Sequence, residues 1–184
     1  GQAYGVERML PGLLAQQMLV HPAHDLRMQI AAAAAIGELH RRTATLAAFN
    51  AEMLEHWIDE PLHLIERANT TLSGAAYNRE AMRRLAEELY QALAGRTLCL
   101  SWVHGDFVPG NILVAPGGGK LMGIVDWELA RPDDLPLLDL LQFLLSMRVL
   151  KQRREMGDIV RTLLSGPEWL PHEQALLDAA QTAL

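Results

Sequence analysis

The sequence predicts an α+β fold that is mainly α-helical. Two long stretches, residues 25–94 and 136–184, place apolar residues at the three- and four-residue spacing of amphipathic helices. Between them, residues 97–128 hold three short runs of β-forming residues, separated by glycine, proline and polar side chains. With 184 residues, half of them apolar, the chain can bury a core, and we interpret residues 1–184 as a single domain.

The composition excludes several classes of partner. The formal charge of −6 argues against a nucleic-acid surface, which needs clustered Lys and Arg. The single cysteine, Cys99, excludes an internal disulfide and is expected to pack as a small apolar residue. No apolar run reaches the roughly 18 residues of a membrane helix, and no signal segment opens the chain. We therefore expect a cytoplasmic protein with neither a membrane nor a nucleic-acid partner.

The first elements follow from turn and cap residues. Residues 1–12 predict a strand end that runs into a turn, because a proline and a glycine close this segment. A helix is expected over residues 26–42, with Asp25 as its N-cap and an apolar face that includes Leu26 and Ile30. The alanines within it favour a helix by their intrinsic propensity.

The helical pattern is expected to continue over residues 43–57. Pro61 suits the first turn of a further, short helix over residues 62–68. Asn78 is the predicted N-cap of a helix over residues 79–94, which a glycine ends. The apolar residues expected to face inward on this helix are Met82, Leu85, Leu89 and Leu93.

The stretch from Leu100 to Glu128 carries the residues that point to chemistry. Two β-type runs, 100–103 and 111–114, enclose a polar insert, and a third run over 120–125 precedes acidic residues. The polar side chains at these strand ends are His104, Asp106, Asn111, Asp126 and Glu128. One segment therefore offers a base together with oxygen ligands for a divalent ion.

The remaining elements are again helical. Residues 131–136 predict a proline-bounded loop, and residues 137–150 predict an apolar helix that is buried on most sides. Charged residues at 151–155 end that helix. Two more amphipathic helices are expected over residues 159–164 and 172–183.

The polar residues of the central stretch match the needs of phosphoryl transfer. This reaction needs an acceptor for the hydroxyl proton and cations that neutralise charge on the transferring phosphate. Asp106 can accept the proton, and Asn111 with Asp126 can hold Mg²⁺, which prefers hard oxygen ligands and keeps several waters. Four residues separate Asp106 from Asn111, and Pro109 with Gly110 supplies the turn that such a short loop requires.

The order of these residues resembles a known family. It reads His104-Gly105-Asp106-x4-Asn111 and then Ile124-Val125-Asp126-Trp127-Glu128. This order is similar to that of the aminoglycoside phosphotransferase and choline kinase family, whose members are relatives of the protein kinases. In the protein kinases the corresponding motifs are H-R-D-x-x-x-x-N and D-F-G. Gly105 replaces the Arg, and Trp127-Glu128 replaces Phe-Gly, as in the small-molecule branch.

The resemblance assigns a role to each of these residues. It implies that Asp106 is the catalytic base and that Asn111 and Asp126 bind the metal. Leu113 would form the floor under the adenine of the nucleotide. Asp139 would lie in the helix that follows and hydrogen-bond the catalytic loop.

Other residues would support this site. His104 is expected to brace the loop by hydrogen bonds, and Glu128 is either a partner of the metal ligands or a solvated turn residue. Residues 1–12 resemble the hinge of the family, in which Glu7 and Met9 would contact the adenine. Met9 lengthens the usual interval within this segment, which leaves a plain loop as the alternative.

Two competing interpretations of the glycine-containing segments are less well supported. Gly105-Asp106 and Gly110-Asn111 also resemble parts of the two-metal phosphoesterase pattern, but that pattern needs a His where this chain has Ile112. The glycine run that precedes Lys120 predicts a hairpin loop, because a phosphate-binding P-loop needs a helix after its Lys.

The resemblance also implies a missing part. Kinases of this kind have an upstream lobe with a Lys that binds the α and β phosphates. Lys120 is the only Lys before Lys151, and it follows the catalytic loop. Residues 1–184 are therefore expected to be the C-terminal lobe of a protein-kinase-like fold, with the N-terminal nucleotide lobe absent. That lobe, or another chain, would cover the apolar nucleotide face around Leu113.

The function implied by the resemblance is an ATP- or GTP-dependent transfer of the γ-phosphate, with Mg²⁺, to a hydroxyl of a small molecule. The acceptor would be aminoglycoside-, choline- or sugar-like. The isolated chain is expected to be inactive, because positioning of the phosphates dominates this chemistry. Two alternatives stay open: a non-catalytic kinase-like binding module, and a hydrolase that releases phosphate from a monoester without a nucleotide.

Overall fold

The computed structural model describes residues 10–20, 22–68, 76–117, 119–166 and 169–183. It is mostly helical with small antiparallel sheets, which confirms the predicted α+β, mainly α-helical class. The assignment to the C-terminal lobe of a protein-kinase-like fold stays a prediction. The chain divides into two compact units, one that runs to Thr45 and resumes at Cys99, and one that spans Leu46–Leu98. The single domain inferred from the sequence stays a prediction.

The elements up to residue 93 are bounded as follows. They are β1 (Leu13–Leu14), a 3₁₀ segment (Ala15–Val20), α1 (Pro22–Thr43), β2 (Thr45–Ala48), α2 (Ala51–Leu54), a π-helical segment (Glu55–Asp59), α3 (Glu60–Ala68) and α4 (Ala76–Leu93).

The later elements contain the predicted chemistry. They are β3 (Thr97–Val103), a 3₁₀ turn (Pro109–Asn111), β4 (Ile112–Val114), β5 (Leu121–Ile124), β6 (Arg131–Asp134), α5 (Leu137–Gln152), α6 (Met156–Ser165) and α7 (Pro171–Ala183). None of the helices in the described parts of the chain combines the length and the apolar content needed to cross a bilayer.

Antiparallel strand pairing contributes to the first unit. β4 lies between β1 and β5 and pairs antiparallel with both, with Ile112 opposite Ile124. The pairing of β4 with β5 agrees with the predicted hairpin. β3 pairs antiparallel with β6, with Ser101 opposite Asp134, so residues 131–134 form a strand where a loop was predicted. Ladder hydrogen bonds explain this, because they tolerate polar side chains on an edge strand.

The core of the first unit lies between the helices and the β4–β5 hairpin. Ile112 and Val114 point into it from β4, and Phe107 joins them from the preceding loop. The rings of Phe107 and Phe143 have centroids 5.4 Å apart. Burial of one such side chain stabilises a fold by about 1.5–3 kcal/mol, so Phe107 anchors the loop before β4 to the core.

Helix α1 differs from its prediction in its buried face. A row of buried residues, Met28, Ala32, Ile36 and His40, runs along the helix at four-residue spacing, and Gln29 is buried beside Met28. The predicted face is wrong, since Leu26 and Ile30 are 42% and 51% exposed. The alanines from 31 to 35 supply helix propensity but almost no hydrophobic periodicity, and the pattern therefore gave the wrong phase.

The start of α1 also differs from the prediction. The helix begins at Pro22, so Asp25 is not its N-cap but lies in its first turn. The Asp25 carboxylate accepts a hydrogen bond from Gln29 Nε2 at 2.8 Å and contacts Lys151 Nζ at 2.5 Å. Its charge still stabilises the N-terminal end of the helix.

The helix predicted over residues 43–57 is wrong in its first half. Thr45–Ala48 is a strand, and a new helix starts after Asn50, whose side chain accepts a hydrogen bond from Met53 N at 3.0 Å. Asn50 is an N-cap, a signal for a helix start in the middle of the predicted helix. Pro61 lies in the first turn of α3, as predicted.

Helix α4, in the second unit, begins at Ala76, so Asn78 is not its N-cap. Leu85 and Leu89, predicted to face inward, are exposed in this unit. On the charged face, hydrogen bonds from Arg83 and Arg84 lower the pKa of the Glu80 carboxyl to about 2. These pairs stabilise the helix above the ordinary Glu pKa, and the contribution is lost as the pH falls towards 2.

Candidate active site

The loop after β3 turns back sharply on itself. Val108 N donates to Asp106 O at 3.0 Å, and Asn111 N donates to Val108 O at 2.9 Å. Pro109 opens the 3₁₀ turn and is buried, which suits its fixed φ and missing N–H. The consequence is that Asn111 returns to the side chain of Asp106.

Both oxygens of the Asp106 carboxylate receive a hydrogen bond from an amide. Asn111 Nδ2 donates to Asp106 Oδ2 at 2.9 Å, and Gln142 Nε2 donates to Asp106 Oδ1 at 3.0 Å. A carboxylate has about four acceptor positions, so capacity for a further donor remains. The group is held in one orientation and can still accept a proton.

Asn111 is oriented by the same contacts. Its Nδ2 donates both to the Asp106 carboxylate and to the Asp106 backbone carbonyl, each at 2.9 Å. Since the amide nitrogen faces Asp106, the amide oxygen Oδ1 is the atom left for another ligand. An amide oxygen is a hard donor of the kind that Mg²⁺ accepts.

Asp126 follows the end of β5. Val125 N donates to Asn111 O at 2.9 Å, so the backbone before Asp126 lies directly beside Asn111. Asp126 is exposed and has a φ of 64°, in the left-handed region. Such conformations are costly for a residue other than glycine and are concentrated at functional sites.

A magnesium site fits this donor set. An amide oxygen and one carboxylate are sufficient when phosphates and waters complete the coordination. In the described parts of the chain, no group of three or more His, Cys, Asp or Glu side chains could hold a metal ion.

His104 is buried, and both of its ring nitrogens make hydrogen bonds, one to the segment after β5 and one within the loop. Nε2 donates to Val125 O at 3.0 Å, while Nδ1 accepts from Asp106 N at 3.3 Å. A carbonyl can only accept, so these contacts assign the proton to Nε2. The ring also lies 4.5 Å from the ring of Trp127. This arrangement fits a bracing role.

Asp139 in α5 is almost completely buried and contacts the backbone of the loop. Its Oδ2 accepts from His104 N at 2.7 Å, and its Oδ1 accepts from Gly105 N at 3.0 Å. His40 Nε2 lies 3.0 Å from Oδ2 of the same carboxylate. Three donors from α1 and the loop therefore converge on one buried acceptor.

Gly105 lies where no other residue fits. Its φ is +80°, and a Cβ added there would lie 2.3 Å from the backbone oxygen of Leu129. This distance is far below van der Waals contact, and the left-handed backbone adds a cost of its own. The glycine that replaces the Arg of the protein-kinase motif therefore has a steric reason in this chain.

We expect Gly105→Ala to lower the free energy of unfolding by about 3 kcal/mol, from left-handed strain together with overpacking. Urea unfolding of the purified protein measures this difference. Gly117→Ala is the matched control, because Gly117 also has a positive φ, of 100°, but no atom lies within 4 Å of an added Cβ. Equal losses in the two variants would show that the contact with Leu129 has no effect.

The remaining predicted residues are located as follows. Leu113 is half-buried in β4, opposite Gly123, on the face away from the buried Ile112 and Val114. Glu128 is exposed. Glu7 and Met9 lie outside the described residues.

Two residues that contact the site were not predicted from the sequence. Gln142 contacts Asp106, and His40 contacts Asp139. Gln142 lies one helical turn after Asp139, and a polar pair at this spacing in an apolar helix was the signal that could have indicated it. His40 carries no local signal, because its partner Asp139 lies 99 residues away in the sequence.

The chain is similar to known proteins. The model of the phosphotransferase enzyme family matches residues 2–173. Solved structures of glucosamine kinase are similar at 24% sequence identity and a TM-score of 0.43: crystal form B, and a complex with glucosamine, ADP and inorganic phosphate. Each covers 93% of this chain, which spans 41% and 40% of those chains. No curated protein matches the chain.

Proposed function

Because this chain belongs to the phosphotransferase enzyme family, we propose that its site transfers the γ-phosphate of ATP or GTP to a hydroxyl of a small molecule. The observation that carries the proposal is the Asp106 carboxylate, which two amide donors hold at 2.9 and 3.0 Å. Phosphoryl transfer depends mainly on positioned groups, and a fixed carboxylate beside an available amide oxygen suits it.

In this proposal Asp106 accepts the proton of the attacking hydroxyl. The two amide donors leave acceptor positions on the carboxylate, and one of them would hydrogen-bond the acceptor alcohol. His104 and Asp139 support this step by fixing the loop. The His104 ring donates to Val125 O, and the Asp139 carboxylate accepts from the backbone N–H of His104.

Asn111 Oδ1 and the carboxylate of Asp126 would hold Mg²⁺. The ion, when bound, supplies positive charge that stabilises the phosphates during transfer. Glu128, next along the exposed segment, would orient water or the metal ligands.

The nucleotide base would lie on the Leu113 face, with Glu7 and Met9 beside it. Further protein surface, from another segment or another chain, would cover this face, and for that reason we expect residues 1–184 alone to be inactive. The acceptor would be an aminoglycoside-, choline- or sugar-like alcohol.

Nucleotide titration with and without Mg²⁺ tests the metal assignment. It should use the longest native protein that contains residues 1–184, and the variant Asp126→Asn. We expect Mg²⁺ to tighten ATP binding in the native protein. In the variant this tightening should be smaller by a factor of at least about 10, the usual effect on metal affinity of removing a ligand or its supporting group. Asp133→Asn is the matched control, since Asp133 is also an exposed Asp with a positive φ.

Each outcome separates the proposed function from its alternatives. Nucleotide binding without phosphorylation of any test alcohol would favour a non-catalytic binding module. Release of phosphate from a monoester in the absence of a nucleotide would favour a hydrolase. An equal response to Mg²⁺ in Asp126→Asn and in the native protein would remove Asp126 from the metal site.

A further inference from the structure

Helix α5 presents two polar side chains to the loop that carries the proposed base. Asp139 and Gln142 are three residues apart and therefore lie on one side of the helix. Asp139 receives the backbone N–H groups of His104 and Gly105, and Gln142 donates to Oδ1 of Asp106. One helix thus contacts both the backbone of the loop and the reacting side chain.

The contact from Gln142 complements the contact from Asn111. Asn111 Nδ2 reaches Oδ2 of the carboxylate at 2.9 Å, and Gln142 Nε2 reaches Oδ1 at 3.0 Å. The terminal torsion of an Asp side chain has a broad range, so one hydrogen bond leaves the plane of the carboxylate loosely defined. Two donors on different oxygens define that plane.

The helix that carries Gln142 is itself firmly held. Its neighbours Phe143 and Leu144 are fully buried in the core of the first unit, and Leu140 is nearly so. The Gln142 side chain therefore extends from a fixed backbone. Asn111, by contrast, belongs to the same short loop as Asp106, five residues further along the chain.

We propose that Gln142 is a positioning residue for phosphoryl transfer: its Nε2 holds Oδ1 of Asp106, so that the free acceptor position of the carboxylate faces the alcohol. This role rests on the proposed function. It requires that loss of the donor slows the chemical step and leaves binding of nucleotide and alcohol unchanged.

A kinetic cycle tests the role in the longest native protein that contains residues 1–184. Gln142→Met keeps the length of the side chain and removes the donor. We expect its kcat to fall about 10-fold, with both KM values within about twofold, because a small misplacement of a reacting group is costly. In an Asp106→Ala background the same substitution should cause no further loss of kcat, since groups that act together are not additive.

Two further variants separate hydrogen bonding from packing. Gln142→Glu has nearly the shape of Gln but places an acceptor against the Asp106 carboxylate, so we expect a larger loss of kcat than in Gln142→Met. Gln152→Met makes the same substitution in the last turn of α5, where the side chain is exposed, and should leave kcat unchanged. Urea unfolding midpoints of all variants identify any that do not fold.

The results can overturn the role without affecting the proposed function. If Gln142→Met reduced kcat by the same factor with and without the Asp106 carboxylate, Gln142 would act independently of that carboxylate. Native kcat in Gln142→Glu would likewise reject the hydrogen bond. A native protein that transfers no phosphate from ATP or GTP to an alcohol would reject the proposed function itself. The Gln142 side-chain amide signal in NMR, expected to shift in Asp106→Ala, reports the contact without any need for turnover.

Discussion

Asp106→Asn is expected to reduce kcat for phosphoryl transfer by about 10³-fold, within the range that general-base catalysis contributes. The amide of Asn cannot take up the proton of the alcohol. It keeps the shape of Asp but only one acceptor oxygen, so either Asn111 or Gln142 has to turn its own amide oxygen towards the new NH2 group. Because the substitution removes the acceptor and not the surrounding site, the affinity for nucleotide should stay within about twofold. Initial rates with ATP and a set of test alcohols, together with a nucleotide titration, measure both quantities.

Asp133→Asn again serves as the control, since Asp133 is an exposed carboxylate of β6. It should keep the native kcat. If Asp106→Asn retained about a tenth of the native rate or more, the loss would be too small for a general base, and Asp106 would be a binding residue.

Asp139→Ala is expected to lower the free energy of unfolding by about 3–5 kcal/mol, the usual cost of leaving buried polar partners unpaired. The substitution would leave the N–H groups of His104 and Gly105, and the ring of His40, without their acceptor. Urea unfolding of the purified protein, followed by tryptophan fluorescence, gives the difference, because Trp127 lies against His104.

Asp139→Asn distinguishes hydrogen bonding from packing at the same position. Its amide keeps one acceptor oxygen, so it should lose clearly less stability than Asp139→Ala. A loss below about 1 kcal/mol for Asp139→Ala would mean that water replaces the carboxylate at little cost, and that Asp139 does not hold the loop.

The parts of the structure that could be predicted were those with a local cause. The β4–β5 pairing follows from two β-type runs around a glycine loop, and α5 follows from a long apolar pattern. The meeting of Asp106 with Asn111 also follows from the sequence, since only four residues separate them.

What could not be predicted depends on contacts far apart in the chain. β6 is a strand because β3 supplies its hydrogen bonds, and its own sequence, Arg-Pro-Asp-Asp, has low β propensity. The buried face of α1 is determined by its neighbours, since alanines pack on either side of a helix. His40 and Asp139 are 99 residues apart, and no spacing rule joins them.

The two contacts from α5 make the loop sensitive to the rotational phase of that helix. Asp139 and Gln142 reach the backbone and the carboxylate at once only because three residues, nearly one turn, separate them. One residue inserted between them would rotate Gln142 about 100° around the axis, away from Asp106, while Asp139 kept its place. The same rotation would turn the buried Phe143 and Leu144 out of the core. Changes in length within this turn should therefore disrupt both the core and the site, and variation in this segment is best confined to substitutions.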